Sequence, residues 1–150
     1  MSRAQLALRV SDLEASVAFY SNLFGIEPAK RRPGYANFAV AEPPLKLVLI
    51  EGEAGQETRL DHLGVEVETS EEVAAAAERL AAAGLATAEE NDTSCCYALQ
   101  DKVWVHGPGK ESWEVYVVKA DADTFGTEAS LEACCGTADC CTPGGAVDQS

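Results

Sequence analysis

The cysteines of this chain are the residues best suited to chemistry, because all six of them occur as adjacent pairs. The pairs are Cys95-Cys96, Cys134-Cys135 and Cys140-Cys141. A disulfide between neighbours would close a small, strained ring, whereas ordinary disulfides join Cα atoms about 4.4–6.8 Å apart. The pairs therefore predict reduced thiols. Two successive thiolates can bind one thiophilic centre, such as a trivalent arsenical R–As(OH)2, which has two exchangeable positions.

A second group of candidate ligands combines an amide, an imidazole and a carboxylate: Gln5, His62 and Glu114. Because side chains alternate along a strand, Gln5 and His62 take matching positions on the polar faces of two strand-like runs. Glu114 projects from a strand-like run that is otherwise apolar, and such a carboxylate needs a partner. Together the three side chains could bind one divalent ion and leave positions open for substrate or dioxygen. Each signal alone is weak, since a single strand histidine or glutamate is more often hydrogen-bonded or solvated.

Three further residues near these candidates carry less information. His106 lies in the glycine-rich run VHGPGKE, and we interpret it as a solvated loop residue. Lys102 and Trp104 alternate with valines, so that Trp104 is either core or pocket wall. The sequence contains no Gly-rich phosphate loop, no GxSxG motif and no recognisable Cys–His–Asn arrangement.

The elements that would position these side chains occur twice along the chain. In the first copy, residues 5–10 alternate like a strand, residues 11–14 form a predicted capping box, and the helix that follows should end at Gly25. Strand-like runs at 35–40 and 45–51 complete this copy.

The second copy begins at residue 62 and follows the same order. A predicted capping box occupies 69–72, an Ala-rich helix should run to about Ala83, and strand-like runs occupy 97–105 and 112–118. Strand starts, caps and helix-ending glycines recur at offsets of 57 to 59 residues. The repeat predicts an α+β fold of two βαβββ modules at about 3–52 and 60–119.

The second copy differs from the first by a longer segment before its cysteines. We predict that the run ATAEENDTSCC forms a polar loop, which delivers Cys95 and Cys96 just before a strand. Loops on a rigid scaffold are common carriers of binding residues.

Composition limits the classes of partner. The chain has 150 residues and a formal net charge of −14 with 11 scattered basic residues, which opposes binding to nucleic acid or to an anionic membrane surface. Residues 1–10 lack the apolar stretch of a signal peptide, and the chain has no apolar run long enough for a bilayer, so we predict a cytoplasmic protein.

The last part of the chain has a different character. Residues 120–150 contain six acidic residues and no lysine or arginine, and we predict that they form a mobile, disordered tail. This tail carries the other two cysteine pairs. They could sequester or transfer a soft ion, or have no catalytic part, and the sequence leaves their role open.

Two βαβββ modules, with Gln5, His62 and Glu114 on the first, fifth and last strands, resemble the vicinal oxygen chelate superfamily over about residues 3–119. That superfamily includes glyoxalase I, extradiol dioxygenases and fosfomycin-resistance transferases. Three runs resemble more narrowly the organoarsenical C–As bond lyases called ArsI, whose relatives are often named cadmium-induced proteins. The runs are RPGYANFAVAEPPLKLVLIEG, TSCCYALQDKVWV and WEVYVV.

This resemblance implies a nonheme Fe(II)- and dioxygen-dependent lyase. It would remove methyl or aryl groups from trivalent organoarsenicals such as methylarsenite or phenylarsenite and release arsenite. Carried over by position, Gln5, His62 and Glu114 would form the catalytic iron site, and Cys95 with Cys96 would bind arsenic.

The chain departs from two branches of the superfamily. Extradiol dioxygenases present two histidines and a carboxylate, whereas Gln5 stands at the first histidine position here. Glyoxalase I uses a further glutamate on the fourth strand, but the run LKLVLIE has no acidic residue before Glu51. A neutral amide is a weaker donor than imidazole, so the predicted ligand set binds a divalent ion less strongly than two histidines and a carboxylate would.

Two other functions stay open from the sequence. One is a soft-ion binding protein, whose cysteine pairs would capture arsenite or cadmium without turnover. The other is a glyoxalase-type isomerase or thiol transferase, which would leave Cys95-Cys96 unexplained. The range of organoarsenicals and the formation of a homodimer are also left open.

Overall fold

The computed structural model describes residues 2–121, so the predicted tail lies outside the described residues from position 122 on. The elements follow the βαβββ order twice, and the α+β class with its glyoxalase-like fold is confirmed. No helix in the described range is long and apolar enough to cross a membrane. The elements are β1 (Arg3–Val10), α1 (Leu13–Phe24), β2 (Lys30–Arg32), β3 (Tyr35–Val40), β4 (Leu45–Glu51), β5 (Arg59–Glu66), α2 (Ser70–Ala82), β6 (Thr87–Cys95), β7 (Ala98–His106) and β8 (Ser112–Asp121).

The chain divides into two compact units, with the boundary after Val67. In the first unit the strands are ordered β2-β3-β4-β1-β5. The β1 and β4 strands pair in parallel, and the other neighbours pair antiparallel. Helix α1 covers one face of this sheet. The core between them consists of Val10, Leu13, Val17, Ala36, Phe38, Val40, Leu47 and Leu49.

Helix α1 begins one residue later than the predicted capping box implies. Asp12, and not Ser11, is the N-cap, and its side chain accepts a hydrogen bond from the Ala15 amide. Aspartate is among the best N-cap residues, and its position places Leu13 and Val17 on the buried face. The predicted helix end at Gly25 is confirmed, since Gly25 has a φ of +67° that favours glycine.

The second unit contains α2 and three antiparallel strands in the order β8-β7-β6. Its predicted capping box is confirmed, because the Thr69 hydroxyl accepts from the Glu72 amide while the Glu72 carboxylate accepts from the Thr69 amide. Helix α2 packs on one face of the sheet through Val73, Ala76 and Ala77, which are buried.

Two strands were not predicted from the sequence. The short strand β2 pairs with β3, and β6 occupies most of the run interpreted as a polar loop. That interpretation of residues 86–96 is wrong. Strand β6 lies at an edge of its sheet, where one side of the backbone pairs with β7 and polar side chains remain solvated. An edge strand of this kind lacks the apolar alternation on which the prediction depended.

Candidate metal and substrate site

Gln5 and His62 lie together in the first unit. Both side chains stand on the sheet face opposite α1, where they are only 5% and 2% exposed. Antiparallel pairing of β1 and β5 brings Nε2 of Gln5 to 3.1 Å from Nε2 of His62. Two of the three predicted metal ligands are therefore neighbours.

Sequence reasoning missed a carboxylate in contact with this histidine. Asp61 Oδ2 lies 2.8 Å from His62 Nδ1, and Asp61 Oδ1 lies 3.3 Å from Arg9 Nε. In a regular strand Asp61 and His62 would point to opposite faces, which is why the alternation pattern gave no signal for their contact. The four side chains form a buried chain of polar contacts from Gln5 through His62 and Asp61 to Arg9.

Glu114, the third predicted ligand, lies on β8 in the second unit and is 3% exposed. The carboxylate has the partner that the sequence predicted, without identifying it: Lys102, whose Nζ is 2.8 Å from Glu114 Oε2. Lys102 also lies over the rings of Trp104 and Tyr116, with its Nζ 5.3 and 5.8 Å from their centroids. Trp104 is therefore a buried wall beside an ion pair. Convergence of Glu114 with Gln5 and His62 stays a prediction.

Replacing Lys102 by Met should destabilise the protein markedly. Glu114 would lose its buried lysine partner, and breaking such a pair from one side costs about 3–5 kcal/mol. Urea unfolding at neutral pH would measure this loss. The double variant Lys102→Met/Glu114→Leu should regain most of it, because an apolar pair needs no charge compensation; equal instability of both variants would contradict the assigned pairing.

Glu90 is a second carboxylate near the same lysine, directly across from it in the β6–β7 register. Burial raises the pKa of Glu90, while Lys102 and a hydrogen bond from Trp104 oppose the rise and the negative charge of Glu114 adds to it. Two carboxylates thus share one lysine.

The cysteine pair stands at the β6–β7 hairpin in the second unit. The turn has two residues, Cys96 and Tyr97, both with positive φ values of 51° and 63°. Hairpins of this length prefer turns with two positive φ values, usually filled by Asn and Gly. Two larger side chains in that conformation store strain, which is common at ligand sites.

The two sulfur atoms point to the same place. Their Sγ atoms are 3.4 Å apart, which is too far for a bond between them. Cys95 is buried and Cys96 half-buried. Cys96 is not in a disulfide, whereas Cys95 is disulfide-bonded, which differs from the prediction of two reduced thiols. The Gln100 amide donates to the Cys95 carbonyl at 3.0 Å and anchors the base of the turn.

Cys95 lies on the same sheet face as Glu114. Cys95 pairs with Ala98, and Glu114 pairs with Trp104, two β7 residues of the same parity. The opposite face, which carries Asp101, meets α2 through Ser70. The two β7 positions are six residue steps apart, a distance of about 20 Å along an extended strand.

A bulge in β6 lies between these positions and is held by Asp101. Asp92, with a φ of 52°, donates its amide to Asp101 Oδ1 at 2.8 Å, and the Ser70 hydroxyl donates to Oδ2 at 2.6 Å. Burial by itself raises the pKa of Asp101, but these hydrogen bonds and the charge of Lys119 outweigh it, so that the pKa is lowered. Asp101 thus connects the bulge to the start of α2.

Replacing Asp101 by Asn should lower the free energy of unfolding by about 1–3 kcal/mol, because the new amide group would face one of the two donors. The lowered pKa sets the pH dependence. The stabilisation is present above the ordinary value of 3.8 and is lost as the pH falls through the lower folded value. Urea unfolding of Asp101→Asn should therefore differ from wild type at neutral pH and approach it at pH values below 3.8. The exposed substitution Glu53→Gln serves as the control, and a pH-independent difference would contradict the prediction.

The donor set fits a metal that prefers nitrogen and oxygen ligands. Within residues 2–121, no group of three or more His, Cys, Asp or Glu side chains is placed to hold a metal ion. Glutamine is not one of these four residue types, so a ligand set that includes the amide of Gln5 would not form such a group. His106, at the end of β7, is exposed as predicted.

Comparison with known proteins identifies the family of this chain. Residues 3–115 match the Glyoxalase/Bleomycin resistance protein/Dioxygenase superfamily. A trivalent organoarsenical cleaving enzyme of Thermomonospora curvata is 69% identical over 98% of this chain and 97% of that protein. The cadmium-induced protein of Mycobacterium tuberculosis (strain H37Rv) is 63% identical over 85% of this chain and 83% of that protein.

A solved structure shows the same fold at low identity. The Mn(II)-bound glyoxalase from Novosphingobium aromaticivorans aligns with a TM-score of 0.58 and 23% identity, covering 85% of this chain and 44% of that chain. The resemblance inferred from the sequence is thereby confirmed at both levels. The chain belongs to the Glyoxalase/Bleomycin resistance protein/Dioxygenase superfamily and, within it, to the family of the trivalent organoarsenical cleaving enzymes.

Proposed function

We propose that this protein is an Fe(II)- and dioxygen-dependent lyase, which converts trivalent organoarsenicals such as methylarsenite or phenylarsenite into arsenite. The observation that carries the proposal is the pair of sulfur atoms of Cys95 and Cys96, 3.4 Å apart at a strained turn. The 69% identity to an organoarsenical cleaving enzyme supports it.

The spacing of the two sulfurs suits one arsenic atom. If each bond is about 2.3 Å, the length of a zinc–thiolate bond, a separation of 3.4 Å corresponds to an angle of about 95° at the bound atom. Such an angle suits the pyramidal geometry of a trivalent centre. Both hydroxyls of R–As(OH)2 leave as water when the thiols bind, and the third valence keeps the carbon. Capture requires Cys95 in its reduced form, which fits a reducing compartment such as the cytoplasm.

Gln5, His62 and Glu114 would hold the iron. They offer an amide oxygen, an imidazole nitrogen and a carboxylate oxygen, and each side chain projects from a β-strand. When bound, Fe(II) would supply the redox chemistry that lets dioxygen react. The burial of all three side chains limits access of bulk water to the reacting groups.

The hairpin must bring the bound arsenical closer to Glu114. The separation of about 20 Å along β7 exceeds any bonding distance. The strained turn at Cys96 and Tyr97 and the bulge at Asp92 are the places where the backbone of this hairpin departs from regular strand geometry.

The atoms of the reaction balance with dioxygen as the only oxidant for methylarsenite. CH3As(OH)2 and O2 contain the same atoms as As(OH)3 and formaldehyde. The As–C bond breaks, carbon is oxidised, and arsenic leaves in its trivalent state. Arsenite and formaldehyde should therefore appear in equal amounts.

The decisive experiment separates metal, oxygen and substrate. Reduced protein is loaded with Fe(II) without oxygen, methylarsenite or phenylarsenite is added, and air is then admitted. Arsenite release that needs both iron and air supports the lyase. Arsenite release that continues in the absence of iron, or in the absence of air, would refute the lyase.

A second candidate is a protein that binds soft ions without turnover. It is favoured by the cysteine pairs and by the 63% identity to a cadmium-induced protein. It predicts stoichiometric retention of arsenite or Cd²⁺ and no change in the organoarsenical after air is admitted. The same experiment therefore decides between the two functions.

A further inference from the structure

We propose that Asp61 is a positioning residue, which fixes the tautomer of His62 so that the lone pair of His62 Nε2 faces Gln5. The relevance of this lone pair for a metal rests on the proposed function. The tautomer itself follows from contacts within the first unit and can be measured without metal or substrate.

The first step is the contact between the carboxylate and the ring. An ionised carboxylate can only accept hydrogen bonds, so the 2.8 Å contact between Asp61 Oδ2 and His62 Nδ1 places the proton of a neutral ring on Nδ1. Nε2 is then an acceptor, and the nearby Gln5 Nε2, at 3.1 Å, donates to it. A cation at this place would take over that lone pair, and the Gln5 amide could turn its oxygen towards the same cation.

The second step explains how adjacent residues come into contact. The β1–β5 register shifts between Ala7 and Leu8: Ala7 pairs with His62 and Leu8 pairs with Leu60. Asp61 is the extra residue of this bulge. Bulges re-aim side chains, and this one turns Asp61 towards the ring of its own neighbour.

The third step shows that the carboxylate is itself held. Arg9 Nε lies 3.3 Å from Asp61 Oδ1, and Arg9 Nη1 donates to the Glu51 carbonyl at 3.4 Å. Gly52 leaves room for the arginine stem, since a Cβ at Gly52 would lie 2.6 Å from Arg9 Cγ. The contact with Arg9 and the geometry of the bulge together hold the Asp61 carboxylate against the ring of His62. Outer carboxylate partners of this kind orient metal-binding histidines in many sites.

The chain allows a direct measurement, because it has only two histidines. In protein labelled with ¹⁵N, His62 is assigned by comparison with His106→Gln. We expect neutral wild-type His62 to carry its proton on Nδ1. In Asp61→Asn the amide can donate to Nδ1, so the population should shift towards the other tautomer. Fe(II) affinity, measured anaerobically by calorimetry, should fall about 10–100-fold.

The matched control is Glu66→Gln, which removes the same charge from the same strand at the ion pair with Arg3. It should change neither the tautomer nor the affinity for Fe(II). Asp61→Glu should restore the Nδ1 tautomer in part, because it retains a carboxylate.

Two results would overturn the inference. One is a proton on Nε2 of wild-type His62, which needs no variant to be folded. The other is a folded Asp61→Asn protein with unchanged tautomer and unchanged Fe(II) affinity. If wild type instead shows the expected tautomer but cleaves no organoarsenical, the positioning role stands and the proposed function fails.

Discussion

Replacement of either Cys95 or Cys96 by Ser should reduce arsenite release at least about 100-fold, while Fe(II) still binds. A serine hydroxyl is a hard, weak nucleophile that does not retain trivalent arsenic, so each variant would lose one of the two bonds that are proposed to position the substrate. Positioning of this kind contributes several kcal/mol, and about 1.4 kcal/mol corresponds to a factor of ten in rate. Initial rates of arsenite formation from phenylarsenite, with reductant present, would measure the effect.

The control for both variants is Ser94→Ala, which changes the same hairpin without touching a thiol. It should retain normal rates. Cys96 gives the cleaner test, since it is half-buried and not disulfide-bonded, and its replacement disturbs less packing than that of the buried Cys95. Normal turnover by Cys96→Ser, together with full Fe(II) binding, would remove the thiol pair from the mechanism.

The repeated pattern explains why so much of the fold could be predicted. Both helices and six of the eight strands follow from apolar spacing, capping residues and glycines, which are local features of the sequence. The bounds of β3 and β4 agree with the prediction residue for residue. Strand β6 was missed because pairing to β7 at a sheet edge, and not an apolar pattern, makes it a strand.

The candidate site was predictable in its residue types and less so in its contacts. Alternation placed Gln5 and His62 on one face, and the β1–β5 register brings them to 3.1 Å. The contact of Asp61 with His62 depends on a bulge, which no alternation pattern reveals. The ion pair between Lys102 and Glu114 could not be predicted either. Which residues are cross-strand neighbours depends on the register of the strands, and the register depends on the bulges.

The second large effect is expected for His62→Ala. This variant should lose binding of Fe(II) and keep binding of the arsenical. Removing this imidazole would delete one of the proposed iron ligands, so the affinity for Fe(II) should fall by more than the 10–100-fold that loss of an outer partner costs. Capture of phenylarsenite by the cysteines should persist, because the thiols lie on β6 and its turn in the second unit. The Cys96→Ser variant should show the reverse: iron bound and arsenical not retained.

Calorimetry with Fe(II) under anaerobic conditions and retention of phenylarsenite on a desalting column would measure the two binding events separately. His106→Ala is the matched control, since it removes the only other histidine from an exposed position and should leave both events unchanged. Wild-type iron affinity in folded His62→Ala would exclude this histidine as a ligand. Loss of both binding events in that variant, with the fold intact by circular dichroism, would contradict the prediction. It would show that binding of phenylarsenite by the thiols depends on His62.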